Sequence, residues 1–152
     1  MLCKIHPQCS WSLKMSTPES KLWLWFDKHV GKKLDYCERI ETKREDGLPD
    51  VMIVNNSRTI FIELKQNVQA HRPKYVPLRK DQIMWWEKFT RAGGVGYILF
   101  KYNIDKMVMI GGKFARAISE DEYFWEEWCQ WVIPNDDMGL YIRNVILLAT
   151  SD

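Results

Sequence analysis

Apolar residues along this chain recur with two periods, and each period predicts its own kind of element. In "ESKLWLWFDKHV", Leu22, Trp25, Phe26 and His29 fall on one face at helical spacing. Ser16-Thr17, Pro18 and Glu19 ahead of it supply a hydroxyl cap, a first-turn proline and an acid at the positive helix end, and Gly31 supplies a stop. A second amphipathic helix is predicted over residues 79–92, with Leu78, Trp85, Trp86 and Phe89 on its apolar stripe and Gly93-Gly94 beyond it. Ser119 with Glu122 reads as a capping box opening a third helix, "EDEYFWEEWCQWV". Its Phe124, Trp128 and Trp131, with Trp125, Cys129 and Val132 beside them, read as core packing, with an aromatic binding platform as the alternative.

Period two and β-branched runs mark the strands. Residues 34–43 give a weak strand, while Val51–Val54 and Thr59–Leu64 give strong ones joined by Asn55-Asn56-Ser57-Arg58. "GYILFKYN" is a fourth strand, and Lys106–Ile110 adds a short fifth. Pro73 and Pro77 make "NVQAHRPKYVPL" a connecting loop, and "LYIRNVILLAT" fits strand and helix equally well. The order helix, three strands, helix, strand, with an antiparallel hairpin inside it, predicts an α/β sandwich on a mixed sheet. At 152 residues the chain is expected to form one domain, with a core over about 17–103 and an extension over about 104–152.

Composition adds limits. No apolar run reaches the length of a membrane span, and the first 15 residues hold no apolar signal segment, so a cytoplasmic protein is expected. Cys3, Cys9, Cys37 and Cys129 form no disulfide framework, and Cys3, His6 and Cys9 lack a fourth zinc ligand. The net charge of +2 divides into +6 over residues 1–80 and −4 over residues 81–152. From Leu64 to Lys80 there is no carboxylate, while Lys65, His71, Arg72, Lys74, Arg79 and Lys80 occur there. Such a stretch is either solvated surface or a polyanion contact.

Charge also breaks the apolar hairpin. If Asn56 and Ser57 are the central turn residues, Asp50 lies opposite Glu63, with Cβ atoms about 4.5–5.5 Å apart on one face. Lys65 projects from the same face. Both faces of the hairpin are otherwise apolar: Val51, Ile53, Ile60, Ile62 and Leu64 on one, Met52, Val54 and Phe61 on the other. Two adjacent carboxylates need more than one lysine to balance them, and a divalent cation such as Mg²⁺ suits their hard oxygens. A buried Asp–Lys–Glu ion network is the alternative.

"PD" at Pro49-Asp50 followed by "ELK" at Glu63-Leu64-Lys65 resembles the PD-(D/E)xK nuclease superfamily, with its restriction-endonuclease-like αβββαβ core. "LRKDQIMWWEKFTRAGGVGYILF" is similar to the segment after the lysine in VRR-NUC nucleases and related Holliday-junction resolvases, where a glutamine-bearing helix precedes another strand. That similarity marks Gln82 as a site residue, against the alternative of an ordinary half-exposed glutamine. It spans about residues 17–103. The stretch from Gln66 to Asp81 is long beside compact VRR-NUC domains, and the tail is not covered.

The resemblance implies Mg²⁺-dependent hydrolysis of DNA, with Mn²⁺ able to substitute. Asp50, Glu63 and the Leu64 carbonyl would bind the ion, and Lys65 would orient or activate the attacking water. Glu19 either completes the acidic site or only complements the helix dipole. Arg72, Lys74, Arg79 and Lys80 would hold the phosphate backbone, contacts that give affinity with little sequence information. This suits a structure-selective enzyme on branched DNA, acting as a homodimer if it makes two coordinated cuts. The rivals are a restriction-type or repair nuclease on duplex or flapped DNA, and a non-catalytic DNA-binding protein that retains the fold.

Overall fold

The computed structural model describes residues 17–41, 47–128 and 137–151. A five-stranded mixed sheet in the order β1-β2-β3-β4-β5 forms its centre: β1 Tyr36–Arg39, β2 Val51–Asn55, β3 Arg58–Gln66, β4 Gly96–Asn103 and β5 Lys106–Gly111. All neighbours pair antiparallel except β3 and β4, which run parallel across a helical crossover, α2 Lys80–Arg91. The molecule is therefore α/β, and the expected αβββαβ order is present.

The hairpin register is the one its turn residues dictate. Asn56 and Ser57 both adopt left-handed backbone, φ 48° and 59°, as a two-residue type I′ turn requires. Asn55 then pairs with Arg58, and Val51 with Ile62. Continuing that count sets Asp50, one residue before β2, opposite Glu63.

Alternation along the strands builds two cores. Val51, Ile53, Ile60, Ile62 and Leu64 pack against Leu22 and Phe26 of α1 (Pro18–His29) and against Ile142, Val145 and Ile146 of α2's counterpart on that face, the C-terminal helix Met138–Ala149. On the opposite face, Ile98, Phe100, Val108 and Ile110 pack against Ile83 and Trp86 of α2, Ala115 and Ile118 of α3 (Ala115–Glu120), and Trp125 of α4 (Phe124–Trp128). The C-terminal helix, α5, is tied down at its far end. Thr150 is fully buried, and the hairpin turn donates to it through Asn55 Nδ2 at 2.7 Å and Asn56 Nδ2 at 3.3 Å.

Three expectations change. The weak strand over 34–43 forms only over Tyr36–Arg39, with residues 42 and 43 outside the described part. The ambiguous last segment is a helix, started by Asp137, whose side chain accepts from Leu140 N. Ser119 caps nothing. It lies inside α3, where its hydroxyl donates to Arg116 O at 2.6 Å, and Asp121 orders the turn into the short α4 by accepting from Tyr123 N. Helix α3 was not anticipated. Of the aromatic stripe, Trp125 is buried and Phe124 packs on Phe114, whereas Cys129, Trp131, Val132 and the Trp128 side chain lie outside the described residues.

Candidate active site

The site forms where the end of β3 meets the start of β2 and the first turns of α1 and α2. Thr17 caps α1, accepting from Ser20 N at 3.2 Å, and so places Glu19 in the first turn. In a two-residue hairpin, hydrogen-bonded pairs fall at 55/58, 53/60 and 51/62, so the next would be 49/64. The chain turns out of the sheet before that pair forms, and the Asp50 carboxylate takes the position instead, Oδ2 accepting from Leu64 N at 2.8 Å. Asp50 is thereby fixed against β3 by the backbone it faces.

Glu63 and Lys65 point to the α2 side of the sheet, as Phe61 does. Glu63 is fully buried and Lys65 is 4% exposed. Both donors to Glu63 converge on one oxygen: Lys65 Nζ at 3.0 Å and Gln82 Nε2 at 2.6 Å both reach Oε1. Glu63 Oε2 is buried with no hydrogen-bond partner. Gln82 is itself held at both ends of its amide, since its Oε1 accepts from Arg79 N at 3.0 Å. That bond fixes which amide atom faces Glu63. Lys65 also reaches the half-exposed Glu19, Nζ to Oε1 at 3.4 Å.

Electrostatics follow from this crowding. Burial pushes the Glu63 carboxyl up to about 8, and the neighbouring Asp50 charge adds to the rise against the opposing pull of Lys65. Burial also raises Asp50, opposed by the Leu64 N–H and Lys65. For Lys65, burial alone would lower the pKa, but Glu63, Glu19 and Asp50 together outweigh it, and the ammonium is held more firmly than usual. Three carboxylates around one ammonium leave a deficit of positive charge. The N-termini of α1 and α2 both open onto this end, and their dipoles favour anions there.

A hard divalent cation fits this donor set. The unpartnered Glu63 Oε2 offers a buried acceptor, Asp50 lies beside it, and the charge deficit is of the right sign. Among the described residues, no group of three or more His, Cys, Asp or Glu side chains is arranged to hold a metal. An ion here would thus draw its remaining ligands from backbone carbonyls, water or substrate.

The basic residues are placed differently from one another. Arg72 pairs with Glu122 at 3.4 Å and lies over the Tyr75 ring at 4.2 Å. Lys74 pairs with Glu126 and lies over Tyr123, and Arg79 forms two bonds to Asp81 at 3.0 and 3.1 Å. Lys80 is exposed at the first position of α2. Local sequence does not reveal that three of these cations are already engaged. Gly47 has φ 74°, and its α-carbon packs against the first turn of α2: a Cβ there would lie 2.2 Å from Asp81 O. Its position just before the Pro-Asp pair was the available signal.

Among the described residues, no helix is long and apolar enough to cross a membrane. No protein-family model matches the chain, and no curated protein matches its sequence. Among solved structures, the chain is similar to Hjc of Archaeoglobus fulgidus, a Holliday junction resolvase from an archaeal hyperthermophile. The TM-score is 0.47 and the identity 17%, covering 64% of this chain and 75% of that one.

Proposed function

We propose that this protein is a divalent-metal-dependent endonuclease that hydrolyses DNA phosphodiester bonds and prefers branched DNA such as a Holliday junction. The observation that carries this reading is the buried Glu63, with both donors on Oε1 and Oε2 left open beside Asp50. Asp50, Glu63 and the Leu64 carbonyl would hold Mg²⁺, with Mn²⁺ as a substitute. When bound, the ion polarises the scissile phosphate and lowers the pKa of its water.

The chain's own residues do the rest. Gln82 keeps the Glu63 carboxylate oriented through Oε1, so that Oε2 stays presented. In the metal-free protein, Glu63, Glu19 and Asp50 outweigh the burial of Lys65 and favour its charged form. The Lys65 amine group would orient or activate the attacking water and offset charge on the pentacovalent transition state. Glu19 contributes through Lys65, whose ammonium it contacts, more than as an ion ligand. The anion-favouring ends of α1 and α2 support binding of a phosphate at this end of the sheet. Arg72, Lys74 and Arg79, on the segment that joins β3 to α2, and Lys80 at the start of α2 hold the flanking DNA backbone. A two-fold homodimer would deliver the paired cuts that junction resolution needs.

The test is a panel of four-way junction, flap and linear duplex DNA, each incubated with Mg²⁺, Mn²⁺ or a chelator. The expected result is cleavage only with metal, and about tenfold or more faster on the junction, a difference of roughly 1.4 kcal/mol in the barrier. Preference for linear duplex overturns the junction reading. Salt-sensitive binding without cleavage of any substrate points to the non-catalytic alternative.

A further inference from the structure

The segment from Leu64 to Lys80 has no carboxylate, and the eight residues "EDEYFWEE", 120–127, carry five with no cation among them. The fold brings these two stretches together, though about 50 residues separate them in sequence. Arg72 Nε meets Glu122 Oε2 at 3.4 Å, and Lys74 Nζ meets Glu126 Oε1. Between the two acids, Trp125 is 2% exposed, packs on Phe100 and Tyr102, and donates from Nε1 to Lys74 O at 2.9 Å.

These contacts differ in kind. The Trp125 anchor joins buried aromatic surface to a backbone carbonyl, so it is costly to undo. The two ion pairs sit at the surface, with side-chain exposures of 43% and 22% for Arg72 and Glu122 and 33% and 39% for Lys74 and Glu126. Pairs of that exposure contribute little to stability and are screened by salt. Both cations also lie over aromatic rings, Arg72 over Tyr75 at 4.2 Å and Lys74 over the exposed Tyr123 at 5.4 Å. Cations set beside tyrosine rings suit a nucleic-acid strand, which offers phosphate to one and base faces to the other.

We propose that Glu122 and Glu126 occupy the place of backbone phosphates on Arg72 and Lys74, and that DNA binding exchanges these carboxylates for phosphates while Trp125 holds the loop in position. This inference rests on the DNA-binding reading given above and adds a mechanism that tempers affinity. The acidic segment weakens binding to any strand that cannot reach both cations. It also blunts the salt dependence, because the freed carboxylates take up counterions as the phosphates release theirs.

Binding of labelled four-way junction DNA, measured by fluorescence anisotropy in a chelator over a series of salt concentrations, tests the exchange without hydrolysis. The variant Glu122→Gln/Glu126→Gln is expected to bind about tenfold tighter, with a salt slope steeper by up to about two. The control Glu120→Gln/Glu127→Gln makes the same charge change in the same segment and is expected to shift affinity less than about threefold. Thermal melting of both variants checks that the fold is retained. Equal tightening by the two variants makes the effect one of bulk charge and overturns the exchange. If Arg72→Gln/Lys74→Gln weakens binding while Glu122→Gln/Glu126→Gln leaves it unchanged, the exchange fails and the DNA-binding reading survives. If the wild type shows no salt-sensitive DNA binding, both fail.

Discussion

Glu63→Gln is expected to lower the cleavage rate about a thousandfold and to flatten much of the fall in stability expected of the metal-free protein as pH rises toward 8. The first effect follows from losing a proposed metal ligand. Charge stabilisation by a bound ion is worth several kcal/mol, and about 4 kcal/mol corresponds to about three decades of rate. The second follows from burial. The folded Glu63 carboxyl titrates near 8, against about 4.3 in an unfolded chain.

Between those values the folded protein keeps a proton that the unfolded chain has released. Stability from this source is complete below about pH 4.3, declines through the window, and is gone above the folded value. Glutamine has no such proton, so its stability should vary less with pH. Asp50 is raised as well and leaves a residual slope of the same sign. Lys65, raised from 10.5, titrates above this window. Added Mg²⁺ should stabilise the wild type most at the alkaline end, since binding requires the ionised carboxylate. Melting curves at several pH values between 5 and 8, for both proteins with and without Mg²⁺, provide the readout. Parallel pH profiles for wild type and Glu63→Gln would show that Glu63 ionises as an ordinary surface carboxylate does.

Gly47→Ala is the second large effect, and it acts without touching a reacting group. Gly47 has φ 74°, a region that costs an L-residue about 1–2 kcal/mol. Its Cβ would lie 2.2 Å from Asp81 O and 2.8 Å from Gln82 N, both backbone atoms of the first turn of α2. The segment from Gly47 to Asp50 and the start of α2 must therefore move apart. Asp50 rides on one and Gln82 on the other, and Glu63 sits between them. A shift of about 1 Å in such a site costs on the order of a hundredfold in rate. Gly93→Ala is the matched control, because Gly93 has φ 89° but nothing within 4 Å of the added carbon, at the far end of the same helix. Both variants should lose stability, with only Gly47→Ala losing cleavage. Equal activity in the two would mean that the Gly47 contact does not position the site.

The local parts of this architecture were legible because local chemistry sets them. Asn56 and Ser57 fix a two-residue turn, the turn fixes the register, and the register sets Asp50 opposite Glu63 with Lys65 on the same face. Gln82 shares its helical stripe with Leu78, Trp85, Trp86 and Phe89, and its bond to Glu63 Oε1 is the partner that an amide buried there demands. What stayed hidden depends on residues far apart in sequence. The apolar α5 has no polar face to reveal its period, and its helical state follows from packing on β2 and β3. The ion pairs of Arg72 and Lys74 with Glu122 and Glu126 have no local signature. Ser119 misled because Ser-x-x-Glu spacing also occurs across the end of a helix, where the serine hydroxyl bonds a carbonyl of its own last turn and the glutamate lies beyond the helix.

The central claim is that Asp50, Glu63 and Lys65 form one phosphodiester-cleaving site. The most direct measurement is the single-turnover rate of Mg²⁺-dependent cleavage of four-way junction DNA by the wild type, Asp50→Ala and Lys65→Ala, with DNA binding in chelator measured alongside. Both variants are predicted to bind DNA within a few-fold of the wild type and to lose about a hundredfold to a thousandfold in rate. Metal-dependent cleavage undiminished in both variants would contradict the assignment.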